Sequence, residues 1–170
     1  LGKLEELLLL SASTLESRSI NQGYKLLALL RITISNLLQK NFSETLLSIN
    51  KTNDLISKGA VNIIKDEKNK KYLFSFSRFI TSLYPRLEKE SNNPDLKKIP
   101  HIGESHCLSF AHQSISLSSQ VKTIQPVLIT GGKAWHFANN KNNQWKNSLT
   151  EQIRNHYYSD EIFISFGEID

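Results

Sequence analysis

The residues able to do chemistry in this chain gather in three glycine-bearing stretches. They are Ile99-Pro-His-Ile-Gly-Glu-Ser-His-Cys-Leu-Ser-Phe110, Leu128-Ile-Thr-Gly-Gly-Lys-Ala-Trp-His-Phe-Ala138 and Ile162-Phe-Ile-Ser-Phe-Gly-Glu-Ile-Asp170. In the first, Gly103 lets the chain turn tightly and Ser105 opens an expected helix, whose free N–H groups and dipole favour a developing oxyanion. A serine there is either a nucleophile or the cap of the helix that follows. A nucleophile also needs a base. His106 adjoins Ser105 and points about 100° away round a helix, so it is poorly placed to take that serine's proton. His136, in the second stretch, is the better-placed internal histidine and faces Ser105 if the loops converge; its other reading is a packed or surface residue. His101 reads as a structural strand residue, and His112 and His156 as helical residues without partners.

Other chemistries fit less well. The spacing of His101, His106 and His112 matches no chelating pair, and Cys107 beside His106 lacks two further ligands, so no metal site is expected. Cys107 falls one turn inside the expected helix, a position for a small buried apolar group. Gly131-Gly132-Lys133 is not a phosphate loop, because Val127 and Ala134 stand where that loop needs Gly and Ser or Thr. Glu168 and Asp170 could hold Mg²⁺, but no phosphate loop accompanies them. Trp135 either stacks on a sugar or lines an acyl pocket, or packs under the next segment. No cofactor is expected.

The elements that must position these groups follow from periodicity. Ile99–Gly103 predicts a strand, Ser105 to about Leu117 a helix, Thr123–Thr130 a strand, Trp145 to about Tyr157 a helix and Glu161–Phe166 a third strand. Continuous apolar strands alternating with helices predict a parallel βαβαβ sheet. Working residues in such sheets collect at the carboxyl edge, which puts the three glycine loops together. A third strand with a bare edge is also expected to drive self-association.

Gly103-Glu104-Ser105, Gly131-Gly132 and Gly167-Glu168-Ile169-Asp170, in that order after three strands, resemble the blocks of the SGNH or GDSL-type hydrolases. The resemblance covers residues 99–170 and implies a partial three-strand sheet of SGNH (flavodoxin-like) type. It implies that Ser105 attacks an ester, that the Ser105 amide and Gly132 hold the oxyanion, and that a histidine past Asp170 acts as base, with His136 the internal alternative. Gly103, Glu104, His106, Trp135, Gly167, Glu168 and Asp170 then shape the site. The implied activity is that of a serine esterase or acyl-ester transferase, with an acylated glycan among the expected substrates. Two positions depart from the family. Glu104 stands where Asp is usual. Ile169 stands where the family has an oxyanion-hole Asn, a donor worth roughly 2.7 to 4 kcal/mol where one has been removed.

The first half reads as helices, with apolar residues at three- and four-residue spacing and few glycines or prolines. Helices are expected over about Leu4–Leu15 and Tyr24–Leu38, and from Asn41, an N-cap with Glu44 three positions on, to about Ser57, with Gly59 as the stop. A further helical face carries Tyr72, Phe76, Phe79, Ile80, Leu83 and Leu87, with Pro85 expected to kink or end it. The close spacing of the second and third makes them antiparallel neighbours. Through Lys40–Leu55, with Phe42, Thr45, Ile49 and Thr52 at the aromatic and small-residue places of the second helix, the pair Leu26–Leu38 and Phe42–Leu55 resembles one tetratricopeptide unit. That implies a surface for a protein partner. The expected organisation is a helical domain over 1–90, a linker over 91–98 and an α/β domain over 99–170, an α plus α/β chain.

The chain has 170 residues, 39% of them apolar, and a formal charge of +5. Its basic residues alternate with acids, as in Lys65-Asp-Glu-Lys-Asn-Lys-Lys71, so no nucleic-acid surface is expected. One cysteine excludes an internal disulfide and, with no signal-peptide or membrane-span pattern, sets a cytoplasmic expectation. The start at Leu1 and the stop after an apolar strand pattern set another: a piece of a longer protein, catalytically incomplete by itself. The competing function is a non-catalytic scaffold whose helices dock a partner and whose α/β part is degenerate.

Overall fold

Three- and four-residue apolar spacing winds the first half of the chain into α1 (Gly2–Glu16), α2 (Gln22–Leu38), α3 (Phe42–Ser57) and α4 (Glu67–Glu90), with a short 3₁₀ helix, Ala60–Ile63, between the last two. These positions come from a computed structural model that describes residues 2–17, 21–90 and 96–167. The chain divides into two compact units, Leu1–Glu88 and Lys89–Asp170. In the first, α2 packs on α1 and on α3. Leu26, Leu29, Leu30, Ile34 and Leu37 of α2 are buried, as are Ile49 of α3 and Leu73, Ile80, Leu83 and Leu87 of α4.

The inner face of α3 is partly polar and still dry, because its hydroxyls bond back into their own helix. Thr45 Oγ1 donates to Asn41 O at 2.8 Å and Thr52 Oγ1 to Ser48 O at 2.8 Å, so burial leaves neither group unsatisfied. Asn53 joins α3 to α4: its Nδ2 donates to Thr81 Oγ1 at 3.1 Å, and its Oδ1 accepts from Ser77 Oγ. Gly59 takes the left-handed conformation, φ 81°, and stops α3 as expected. Asn41 does not cap α3 through its side chain, which donates to Gln39 Oε1 instead. Nor does Pro85 end α4, which continues to Glu90 with Leu83 and Leu87 buried on either side of it.

The second unit is a four-stranded mixed sheet, so the chain is of α+β type. Its strands are β1 (Lys97–Gly103), β2 (Ser114–Leu117), β3 (Gln120–Leu128) and β4 (Phe163–Ser165), in the order β2-β3-β1-β4. Both β3 and β4 run parallel to β1, and β2 is antiparallel to β3. The five residues from Ile99 to Gly103 are all buried, as expected of a central parallel strand. Two helices, α5 (Ala134–Ala138) and α6 (Gln144–Asn155), lie between β3 and β4.

The expected helix over Ser105–Leu117 is corrected. A 3₁₀ helix covers only Ser105–Phe110, after which His112 turns at φ 59° and the chain lies down along β3. There His112 N donates to Ile124 O at 2.8 Å, and Ile124 N to Gln113 O at 2.9 Å. Ser118 and Ser119, at φ 51° and 63°, close the hairpin with the paired positive dihedrals of a type I′ turn. The sheet therefore gains an antiparallel edge, and β1 reaches β3 through a hairpin rather than a crossover helix.

Charges at the amino edge seat the last strand. Lys97 and Lys122 are register partners on β1 and β3. Lys97 pairs with Asp160, and Lys122, its side chain only 4% exposed, pairs with Glu161 just before β4. Removing Glu161 strands a buried ammonium, so Glu161→Ala is expected to destabilise this unit by about 2 to 4 kcal/mol, whereas Asp160→Ala at the exposed pair is expected to cost far less. The chain's two tryptophans, Trp135 and Trp145, both lie in this unit and report its urea unfolding. Equal small losses in the two variants would contradict the seating role.

Candidate functional site

The carboxyl edge of the sheet is assembled by close approach of backbone. Gly103 is the register partner of Ser165, and a Cβ on Gly103 would stand 2.2 Å from Ser165 O and 2.7 Å from Ser165 Oγ. Its φ is not positive, so the residue is glycine for clearance between strands, not for the tight turn expected of it. Glu104 N then donates to Ser165 O at 3.3 Å.

Past β4, Gly167 lies against side chains of the first loop. A Cβ there would meet Glu104 Oε1 at 2.4 Å and the His106 ring at 2.7 Å. The second loop joins through the third: Gly132 is buried, its added Cβ would lie 3.3 Å from Phe166 Cε1, and Phe137 packs on Phe166 with ring centroids 4.0 Å apart. The three glycine loops thus converge. Glu168, Ile169 and Asp170 lie outside the described residues, as does the stretch 91–95 of the expected linker.

Glu104 is the hub of the first loop. One carboxylate oxygen, Oε2, accepts from Ser105 Oγ at 3.3 Å, and the other is bound by His106 Nδ1. The Glu104 side chain is 20% exposed and that of His106 is 63% exposed, so the carboxylate is sheltered while the ring faces solvent. Ser105 reaches His106 only through this shared carboxylate. It sits at the start of a six-residue 3₁₀ segment, so the long helix dipole expected there is absent.

The second loop holds its own groups more tightly than expected. Gly132 N donates to Ile129 O at 3.3 Å. His136 is buried between two indoles, centred 3.6 Å from Trp135 and stacked on Trp145 at 3.5 Å with 15° between planes. Its Nδ1 accepts from Lys133 N at 3.0 Å, and no hydrogen bond links it to Ser105. Asn143 caps α6 by accepting from Trp145 N and Lys146 N, and donates from Nδ2 to His136 O at 2.8 Å. His136 is thus a buried, stacked residue. Trp135 keeps 52% exposure and presents an indole at the loop.

His101 and Cys107 stand at the same edge. His101, expected to be structural, is buried, and its Nε2 lies 2.7 Å from Ser165 Oγ. Its Nδ1 is buried without a hydrogen-bond partner, and its ring neighbours are Phe110 and Phe163. Desolvation pushes its pKa below the ordinary 6.5. Burial pushes the Cys107 thiol up to about 12, which leaves it inert. Among the described residues no group of three or more His, Cys, Asp or Glu could hold a metal ion, and no helix is long and apolar enough to cross a membrane.

No protein-family model matches the chain, and neither the curated proteins nor the solved structures include a match.

Because the folded pKa of His101 is lowered, the unfolded chain takes up its proton first. The stability it confers is complete above about pH 6.5 and declines as pH falls through 6.5 toward the folded value. The expected slope is a fraction of the ~1.4 kcal/mol per pH unit that one full proton commands. In tryptophan-monitored urea unfolding between pH 7 and 5, His101→Gln should show a shallower decline than the parent chain. Identical slopes would contradict the assignment.

Proposed function

We propose that residues 89–170 carry a site for acyl-ester chemistry, hydrolysis or transfer, of the SGNH-like kind, with Ser105 as nucleophile. One observation supports this above the others: Glu104 gathers Ser105 and His106 on one carboxylate beneath Gly167, at the edge where three glycine loops meet. In the reaction Ser105 Oγ bonds to the acyl carbon, and the bond from that carbon to the leaving alcohol breaks. The Ser105 proton passes to Glu104 and departs with the alcohol. Water or an acceptor hydroxyl then reverses these steps on the acyl-serine. His106 steadies the carboxylate through Nδ1 and offers an exposed ring to the substrate. Trp135, half exposed, suits the stacking face of a sugar, which supports an acylated glycan as substrate. No Asp-x-x-His occurs in residues 1–170, so within these residues Glu104 is the proton carrier.

A second reading has its own support. Leu9, Leu10, Tyr24 and Leu47 of the helical unit are exposed, a set of side chains suited to a protein partner of tetratricopeptide-binding kind. With the Gly132 amide bonded to Ile129, the α/β unit is then a non-catalytic companion.

A fluorophosphonate probe separates the two. Mass mapping of the treated chain is expected to find one adduct, on Ser105, lost in Ser105→Ala and kept in Ser109→Ala. Glu104→Gln should slow labelling by about 10- to 100-fold. A chain that takes no label supports the scaffold reading and overturns the esterase.

A further inference from the structure

The strand β4 is held by three register pairs, His101 with Phe163, Ile102 with Ile164 and Gly103 with Ser165. So short a strand is weakly held by its ladder alone. One side-chain bond crosses the same seam, between His101 Nε2 and Ser165 Oγ at 2.7 Å. Ser165 also offers its carbonyl to Glu104 N, and two residues further Gly167 rests on Glu104 and His106. The bond therefore lies directly behind the loop contact that assembles the edge.

The other ring nitrogen shows which way this bond runs. Nδ1 is buried and unpartnered, in a residue 6% exposed. A proton on Nδ1 would be an orphaned buried N–H, the rarer and costlier defect; a proton on Nε2 leaves only a lone pair there. On Nε2 the proton is donated to Ser165. In that state His101 cannot serve as the base of a serine–histidine pair, and it acts on position instead.

We infer that His101 is a positioning residue for the candidate site: as the Nε2–H tautomer it donates to Ser165 Oγ, locks the end of β4 against β1 and so seats Gly167 on the Glu104–His106 pair. The inference deepens the acyl-ester reading and rests on it for what the seated groups do.

The test uses the full chain, labelled with ¹⁵N at histidine. Long-range ¹H–¹⁵N spectra at neutral pH are expected to show His101 as the Nε2–H tautomer; an Nδ1–H tautomer overturns the inference. Ser165→Ala should move the His106 ring signals, whereas Ser165→Thr, which keeps the hydroxyl, should leave them at their parent positions. Unchanged His106 signals in Ser165→Ala, or displaced ones in Ser165→Thr, overturn it too. If Ser165→Ala fails to fold, the parent tautomer and the Ser165→Thr spectra decide. Fluorophosphonate labelling of Ser105 should slow about tenfold or more in Ser165→Ala and recover in Ser165→Thr. A parent chain that takes no label sinks the acyl-ester reading, while the ring spectra still judge the lock.

Discussion

At the carboxyl end of β1, Gly103 leaves no room for a side chain: a Cβ would stand 2.2 Å from the carbonyl oxygen of Ser165. Everything at this edge depends on that clearance. It admits the end of β4, which places Ser165 Oγ on His101 and Ser165 O on the Glu104 amide. It also brings Gly167 onto the side chains of the Glu104–His106 pair. Two glycines, one on each chain segment, allow the approach: Gly103 meets the Ser165 backbone and Gly167 meets the Glu104 and His106 side chains. Opposite this edge, the Lys122–Glu161 pair fixes where β4 begins, so the strand is set at one end by charge and at the other by the absence of a side chain.

Most of the architecture was legible in the sequence because it rests on burial periodicity. The runs Ile99–Gly103 and Thr123–Thr130 read as strands; the first is buried throughout, the second forms β3 only as far as Leu128, with Ile129 and Thr130 past its end, and the α2 and α3 patterns mark helices within a few residues of their ends. The hairpin was missed for a local reason. Ser114-Ile-Ser-Leu117 alternates with the period of a strand, but four residues are too few to outweigh the helical pattern read from Ser105 onward. Its turn, Ser118-Ser119, carries two positive dihedrals without the Gly or Asn that normally advertises them.

The candidate site was legible as a set of loops and illegible as a set of bonds. Glycines after successive strands mark where the backbone must come close, and the loops do meet. Which histidine serves which serine depends on register across strands more than sixty residues apart, as between His101 and Ser165. No spacing rule carries that. His136 shows the converse, since its two indole neighbours, Trp135 and Trp145, are visible in the sequence while their enclosure of the ring depends on Asn143 tying the loop to α6. The chemical character of the edge thus follows from three residues in a row, Glu104, Ser105 and His106, read against a strand that arrives from the far end of the unit.

The account turns on Gly167 lying against the His106 ring, and a nuclear Overhauser measurement on the full chain tests that contact most directly. A strong cross-peak between the Gly167 α-protons and the His106 Hε1 proton is predicted, since the position of a Gly167 Cβ would fall 2.7 Å from His106 Cε1. A folded chain showing no such cross-peak would mean that the third loop does not close on the first, and the site described above would not exist.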